Sequence, residues 1–285
     1  MAKKVLVIVP THSREHTLEY TIRSILNQTY TDFNIAIIGD GVSESYKKII
    51  QKVVELDKRI HFYDNPKSER TGEPYRNAVI KNFNPKYITY CGDDDLFIPN
   101  HISTMVDEIR GYDFVHPLAY WIVHKSNDAT FFDRFLDDPS ALEWFLKGNN
   151  FISLTGAMHT KEIFDKTEGW TTTPKGFSTD RYMWGKFFNI NGFKPRSSRK
   201  CTTVKISYSS LKAKHNVTPE DELSLIKHWF SAISNKGFIK QWEDYIKNTV
   251  LPSSKYLNKP YNLTKSFYLC YNGGVGGGII PTKKK

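Results

Sequence analysis

Three successive carboxylates, Asp93-Asp94-Asp95, end an apolar, aromatic-rich run (Ile88-Thr89-Tyr90-Cys91-Gly92) and are followed at once by Leu96-Phe97-Ile98-Pro99. Adjacent acids repel, so a compact fold that gathers three of them at the end of a buried strand calls for a cation. A divalent metal with oxygen ligands meets that need, and Mg2+ is typically held by one or two carboxylates together with substrate phosphates. A solvated acidic turn is the competing reading, since charge runs are commonly exposed. Two other polar features stand beside apolar runs. Pro10-Thr11-His12-Ser13-Arg14 follows the first run, and Gly39-Asp40-Gly41, a tight turn exposing one carboxylate, follows the second.

The elements that must position these groups follow from hydrophobic period. Residues 5–9 and 33–38 read as fully buried strands of the parallel kind, and 59–63 and 87–91 continue the series. Between them, helices are expected over 15–28, 43–56 and 74–83, with Thr71 as a cap for the third. Strand and helix alternate, which is the rhythm of an open α/β sheet. Ligands in such sheets bind at the carboxyl ends of the strands, near a switch in strand order. Residues 10–14, Asp40 and Asp93-Asp94-Asp95 all fall at carboxyl ends, so they should converge on one cleft.

The second half is less regular. A helix is expected over 99–110, strands over 114–117, 120–124, 152–158 and 202–208, and helices over 138–147, 179–189 and 219–250. A Thr-, Gly- and Pro-rich loop spans 168–178. The glycine-rich stretch 271–278 is flexible by composition.

The 285 residues fit one large domain with an appendage. Cys91, Cys201 and Cys270 form neither a disulfide framework nor a metal-ligand pattern, which suggests a reducing compartment. No run approaches the roughly 20 apolar residues of a membrane span, so a soluble, cytoplasmic protein is expected. Net charge is +10, partly from Lys283-Lys284-Lys285, and the sequence pI is about 9.3. Such a balance suits a nucleic acid, an anionic membrane face or a phosphorylated small substrate. His116, His124 and His159 show no ligand spacing, and core or surface places are expected for them.

Taken in order, Val7-Ile8-Val9-Pro10-Thr11-His12-Ser13-Arg14, Ser24-Ile25-Leu26-Asn27-Gln28-Thr29-Tyr30, Ile37-Ile38-Gly39-Asp40-Gly41, Arg76-Asn77, the run to Pro99 with its acids, and Thr179-Asp180-Arg181-Tyr182-Met183-Trp184 resemble family 2 glycosyltransferases of the GT-A fold. The likeness covers about residues 4–190 and is nearest to bacterial UDP-sugar enzymes of the spore-coat type. It implies a Rossmann-like mixed sheet flanked by helices. The boundaries it suggests are a GT-A domain over 1–210 (nucleotide half about 1–110, acceptor half about 111–210), a C-terminal helical extension over 211–270, and a tail over 271–285.

The resemblance also implies roles. Asp40 matches the acid that accepts the uracil imide N–H. Pro10 and His12 match positions lining the base, with Thr11 and Arg14 beside them. Arg76 matches a basic residue near the nucleotide, and a helix-surface salt bridge is its alternative. Gly92 departs from the family's D-x-D-D by replacing the first Asp. Asp94 then aligns with the main ligand of Mn2+ or Mg2+, Asp93 with an acid contacting ribose or metal, and Asp95 with an assisting ligand. His215, in a basic segment after the last strand, is a further metal candidate. Asp180 matches the general base, in the first turn of a helix, where the positive dipole end favours a carboxylate. Here the family more often has Glu-Asp and this chain has Thr179-Asp180. Trp170 or Phe177 would offer a sugar platform.

The expected activity is metal-dependent, inverting transfer of a sugar from a UDP-sugar to a carbohydrate, lipid-linked or protein acceptor, with peripheral membrane contact possible and no nucleic acid partner. Two alternatives stand beside it. A nucleotidyltransferase uses a similar acid cluster but wants a glycine-rich loop after its first strand, where this chain has Pro10-Thr11-His12-Ser13-Arg14. A non-enzymatic binder of anionic surfaces is suggested by charge alone.

Overall fold

The apolar runs form the expected parallel strands, and the chain folds them into a mixed sheet. The computed structural model describes residues 3–122, 128–131, 134–206, 217–245, 247–248 and 269–270. In chain order the elements are β1 (Val5–Thr11), α1 (Leu18–Leu26), β2 (Phe33–Asp40), α2 (Glu44–Val54), β3 (Ile60–Asn65), α3 (Glu73–Phe83), β4 (Tyr87–Tyr90) and β5 (Leu96–Phe97). There follow α4 (His101–Glu108), β6 (Phe114–Ile122), β7 (Asp128–Phe131), α5 (Pro139–Leu146), β8 (Met158–Thr160), α6 (Lys161–Asp165) and α7 (Thr179–Phe188). The last elements are β9 (Pro195–Ile206), α8 (Pro219–Ser234), α9 (Lys236–Tyr245) and β10 (Leu269–Cys270).

The strand order is β10-β7-β6-β8-β4-β1-β2-β3, with β9 joining β6 and β5. β1 is parallel to β2 on one side and to β4 on the other. The chain therefore winds outward through β2 and β3, then returns to the far side of β1. That reversal opens a crevice at the carboxyl ends of β1 and β4. β8 runs antiparallel to β4 and β6, and β5 antiparallel to β9, which makes the sheet mixed.

Both faces of the sheet are covered, which is why β1 and β2 read as unbroken apolar runs. Val5, Val7 and Val9 pack with Ile22, Ile25, Tyr46 and Met105 on one side. Leu6 and Ile8 point the other way and pack with Val79, Ile80, Trp184 and Phe187. A third cluster joins Leu96, Leu118, Tyr120 and Val204 to Leu225, Ile226 and Trp229 of α8. α8 is thus seated on the sheet beside β5, β6 and β9.

Several expectations shift. The helical pattern over 219–250 is two helices, α8 and α9, divided at Asn235, whose backbone is extended. Of the expected strand over 152–158 only Met158 lies in a strand, as the first residue of β8. Gly156 there takes φ +87 and its N–H donates to the Tyr90 carbonyl, so this segment crosses beneath the acidic loop instead of running along the sheet. Strands 114–117 and 120–124 are one strand, β6, whose pairing with β9 slips near Leu118. Its expected end at 123–124 lies outside the described residues. The cap of α3 is Gly72 with φ 73 rather than Thr71, because the chain doubles back there against the Asp40 side chain.

Gly156 gives a direct test. An added Cβ would lie 2.7 Å from Thr203 Cγ2 and 2.8 Å from Pro117 Cγ. Left-handed backbone costs a non-glycine residue about 1–2 kcal/mol, and overpacking a core adds about 1–3 kcal/mol. Gly156→Ala is expected to lower unfolding stability by about 2–5 kcal/mol on those figures. Urea denaturation reads this, and an unchanged midpoint would contradict it.

Candidate active site

The carboxyl ends of β1, β2 and β4 meet as the topology requires. Thr11, the last residue of β1, donates from Oγ1 to Asp93 Oδ2 at 2.6 Å. Tyr46 OH lies 2.6 Å from the same Oγ1. Hydroxyls of the α1 region hold the acidic loop from the other side. Thr17 Oγ1 donates to the Asp93 carbonyl at 2.9 Å, and Thr21 Oγ1 to the Asp95 carbonyl at 2.8 Å. The loop is a fixed shelf at the crevice.

Its three acids have different surroundings. Burial pushes the Asp93 carboxyl up to about 6, with the Thr11 bond and Arg14 pulling down and Asp95 pushing further up. Asp94 is raised well above the ordinary carboxylate range by burial and then by Asp95 and Asp93. Lys205 and Arg14 pull against that rise, and Arg14 Nη2 lies 3.5 Å from Asp94 Oδ2. Asp95 is fully buried and its oxygens are committed. Oδ1 accepts the Ile206 N–H at 2.8 Å, and Oδ2 accepts Lys205 Nζ at 3.0 Å and Thr155 Oγ1. The geometry gives Asp95 the work of tying the loop to β9 and the 150s segment, which differs from its expected place as a metal ligand. His215 lies outside the described residues.

A cleft of about 260 Å³ brings residues 10–14 together with Asp40, Lys67, Thr71 and Asp93. His12 Nδ1 donates to the Asp40 carbonyl at 2.7 Å. The Asp40 side chain is buried and accepts Lys67 Nζ and the Ser68 N–H, each at 2.6 Å. Burial pushes this carboxyl up, but those two donors outweigh it and hold it low. Arg76 is not on a helix surface. It is buried one layer beneath Thr71, whose carbonyl accepts its Nη2 at 2.8 Å, and its guanidinium lies over the Trp170 ring at 4.4 Å. Nε and Nη1 of this arginine have no partner among the described residues. Burial lowers its pKa, opposed by Glu73, Tyr90, Asp180 and Asp40.

Asp180 sits in the first turn of α7. Its charge also reaches Lys205, whose pKa burial lowers but Asp95 and Asp94 raise further, with Asp180 adding to them. Thr179, the residue before Asp180, has its Oγ1 3.5 Å from Oγ1 of Thr71, which lines the cleft. Trp170 is core, 1% exposed, while Phe177 is 53% exposed on the loop leading to Asp180, so Phe177 is the remaining platform candidate. His116 and His159 are buried, each pushed down to about 4 by desolvation, and bonded to Ser197 and Tyr90. They belong to the core, as expected. His124 lies outside the described residues.

Four site groups carried no sequence signal. Lys205 is one lysine in a strand, Lys67 one in a polar loop, and Asn150 one of a pair after a helix. Glu222 looks like an ordinary first-turn acid, yet it is fully buried and holds Arg14 Nη1 at 2.5 Å and His16 Nε2 at 2.6 Å.

The donor set suits a divalent cation at Asp94 with Asp93. Both acids are pushed up, Asp93 lines the cleft, and Asp94 lies 3.5 Å from Arg14 of the same lining. Among the described residues no three His, Cys, Asp or Glu form a ready cage. Mg2+ or Mn2+ sites completed by substrate phosphates need none.

The sequence matches the family described as "Glycosyl transferase family 2" over residues 6–167. It is 34% identical over 112 residues to an "Uncharacterized glycosyltransferase" of Rickettsia bellii, covering 39% of this chain and 16% of that protein. It is 30% identical over 128 residues to the "GalNAc(5)-diNAcBac-PP-undecaprenol beta-1,3-glucosyltransferase" of Campylobacter jejuni, covering 45% and 41%. The chain thus spans less than half the length of these curated relatives. Among solved structures, S. aureus TarS 1-349 in complex with UDP-GlcNAc matches with TM-score 0.55 at 14% identity, over 86% of this chain and 72% of that one. A mannosyltransferase of Pyrobaculum calidifontis in complex with GDP-Man and Mn2+ matches with TM-score 0.55 at 12% identity, over 91% and 77%. These two likenesses concern the fold. Among the described residues no helix is long and apolar enough to cross a membrane.

Proposed function

The chain belongs to glycosyl transferase family 2, and we propose that it moves a sugar from a nucleotide diphosphate, UDP first among them, to an acceptor hydroxyl with inversion at the anomeric carbon. The observation that carries this reading is the convergence of Asp40 and the Thr11–Asp93 bond on one crevice, with Asp94 3.5 Å from Arg14 of its lining and Thr179, the residue before Asp180, 3.5 Å from Thr71 of its lining.

The base would lie along Pro10 and His12 with its imide N–H on Asp40. A carboxylate has about four lone-pair sites, and the Lys67 and Ser68 donors leave room for one more. Asp93, already held by Thr11, faces the ribose or the metal. Asp94 with Asp93 would hold Mn2+ or Mg2+, which when bound neutralises charge on the departing diphosphate. Arg14 stands beside Asp94, placed to meet the same phosphates. Asp180 takes the acceptor hydroxyl proton while that oxygen bonds to the anomeric carbon. The bond from that carbon to the diphosphate oxygen breaks, and its electron pair leaves with the diphosphate. The acceptor side would be bounded by Phe177, an exposed ring that can lie flat against a sugar. The name of the Campylobacter relative, which carries an undecaprenol-linked acceptor, supports a lipid-linked acceptor and peripheral membrane contact. The family match leaves the nucleotidyltransferase alternative without support.

Thermal shift with UDP, GDP and dTDP, with and without Mn2+, tests the donor half of this reading. UDP with Mn2+ should stabilise most. A ligand at 100 times its Kd contributes about 2.7 kcal/mol. No shift with any nucleoside diphosphate, with or without metal, would overturn the proposal.

A further inference from the structure

Asp180 has two carboxylate oxygens, and the structure distinguishes them. Oδ1 accepts Asn150 Nδ2 at 3.0 Å and the Arg181 N–H at 2.8 Å. Oδ2 accepts no hydrogen bond from any described residue. The Asn150 amide cannot be turned round, because its own Oδ1 accepts the Ile152 N–H at 3.1 Å, so the NH2 end is the one that faces Asp180. The neighbouring contact is of the same kind. The Asn149 carbonyl accepts Arg181 Nε at 3.2 Å, and the Phe145 carbonyl accepts the same Nε at 3.1 Å. The guanidinium lies over the Phe145 ring at 4.5 Å. Asn149 Nδ2 in turn donates to the Trp144 carbonyl, closing the end of α5. Two consecutive residues after α5 thus grip two consecutive residues at the start of α7.

We infer that Asn150 is a positioning residue for the candidate base, occupying Oδ1 so that Oδ2 alone is presented to the acceptor. The inference rests on the reading of Asp180 given above. A neutral amide is suited to this task. It donates to the carboxylate in every protonation state, brings no competing charge, and fixes rotation about the Cβ–Cγ bond. The Arg181 N–H alone restrains one point of the carboxylate, whereas two donors on one oxygen fix which oxygen is free. Misplacement of a reacting group by about 1 Å can cost roughly 100-fold in rate.

The test uses the full chain with Mn2+ and UDP-glucose or UDP-N-acetylglucosamine, following UDP release, donor KM and thermal shift by UDP. Asn150→Ala removes the donor, and Asn150→Asp keeps the shape while replacing the donor by a negative group beside Oδ1. Both are expected to keep the UDP shift and a donor KM within about twofold, and to lose kcat by about 10- to 100-fold, the Asp variant more than the Ala variant. A role in folding alone would make the isosteric Asp variant the milder one and would move melting temperature with activity. Asp180→Asn separates the two levels. If Asp180→Asn turns over like the wild type, the reading of the base fails. If Asp180→Asn is inactive while both Asn150 variants turn over normally, or if their losses follow melting temperature, the inference about Asn150 is overturned and the base stands.

Discussion

Asp180→Asn is expected to abolish sugar transfer and leave UDP binding intact. General bases contribute roughly 100- to 10,000-fold, and an amide cannot take the acceptor's proton. The substitution is nearly isosteric, and a carbonyl oxygen at position 180 can still accept from Asn150 and the Arg181 N–H, so the start of α7 should keep its shape. The cleft proposed for the donor lies elsewhere, at the ends of β1, β2 and β4. Turnover of a UDP-sugar and titration of UDP with Mn2+ therefore separate cleanly. A variant that loses UDP affinity along with turnover would place Asp180 on the donor, and a variant that keeps turnover would remove it from the chemistry.

The second large effect is expected at Asp94. Asp94→Ala should remove the metal-dependent part of nucleotide binding, so that the UDP thermal shift becomes the same with and without Mn2+. Asp95 cannot take over, because its oxygens are held by Ile206, Lys205 and Thr155. The same substitution has a consequence for the metal-free protein with an opposite sign. Burial and mutual repulsion raise Asp94 and Asp93 above their unfolded values, Asp93 to about 6. The folded state therefore binds protons more tightly than the unfolded one. This contribution to stability is fully present below the unfolded carboxylate range, about 3.9, and is lost as pH rises through about 6 and beyond. At neutral pH metal-free Asp94→Ala should be at least as stable as the wild type, and its melting temperature should fall less between pH 4 and 7 than the wild type's. A variant that melts lower at neutral pH, with its Mn2+ response intact, would make Asp94 a packing residue.

Legibility differed sharply along the chain. β1, α1, β2, α2, β3, α3 and β4 were readable because each is a buried element with a clear period, and both sheet faces are covered. The turn after β1, Asp40 and the acidic triplet were readable because an open α/β sheet sends such groups to strand carboxyl ends. β5 and β10 escaped notice because two residues carry no period, and β7 because Asp128-Ala129-Thr130-Phe131 has no apolar run. The 152–158 segment misled because Ile152, Ala157 and Met158 are buried in the core beside the sheet, and burial alone does not distinguish that path from a strand.

Within the triplet the division runs between neighbours. The amino-acid sequence by itself determined that three mutually repelling acids end a buried strand and that Asp40 and residues 10–14 end two others. Only the tertiary structure decided which acid is which. Asp94 stays partly exposed beside Arg14, while Asp95 turns inward to Lys205, which is 110 positions away in the chain. The same holds for Asp180, held by Asn150 from 30 positions away, and for Arg14, held by Glu222 of a helix beyond the family match. Strand ends are set by local period, which sequence carries. Which oxygen is left free is set by donors arriving from distant segments, and no local pattern encodes those.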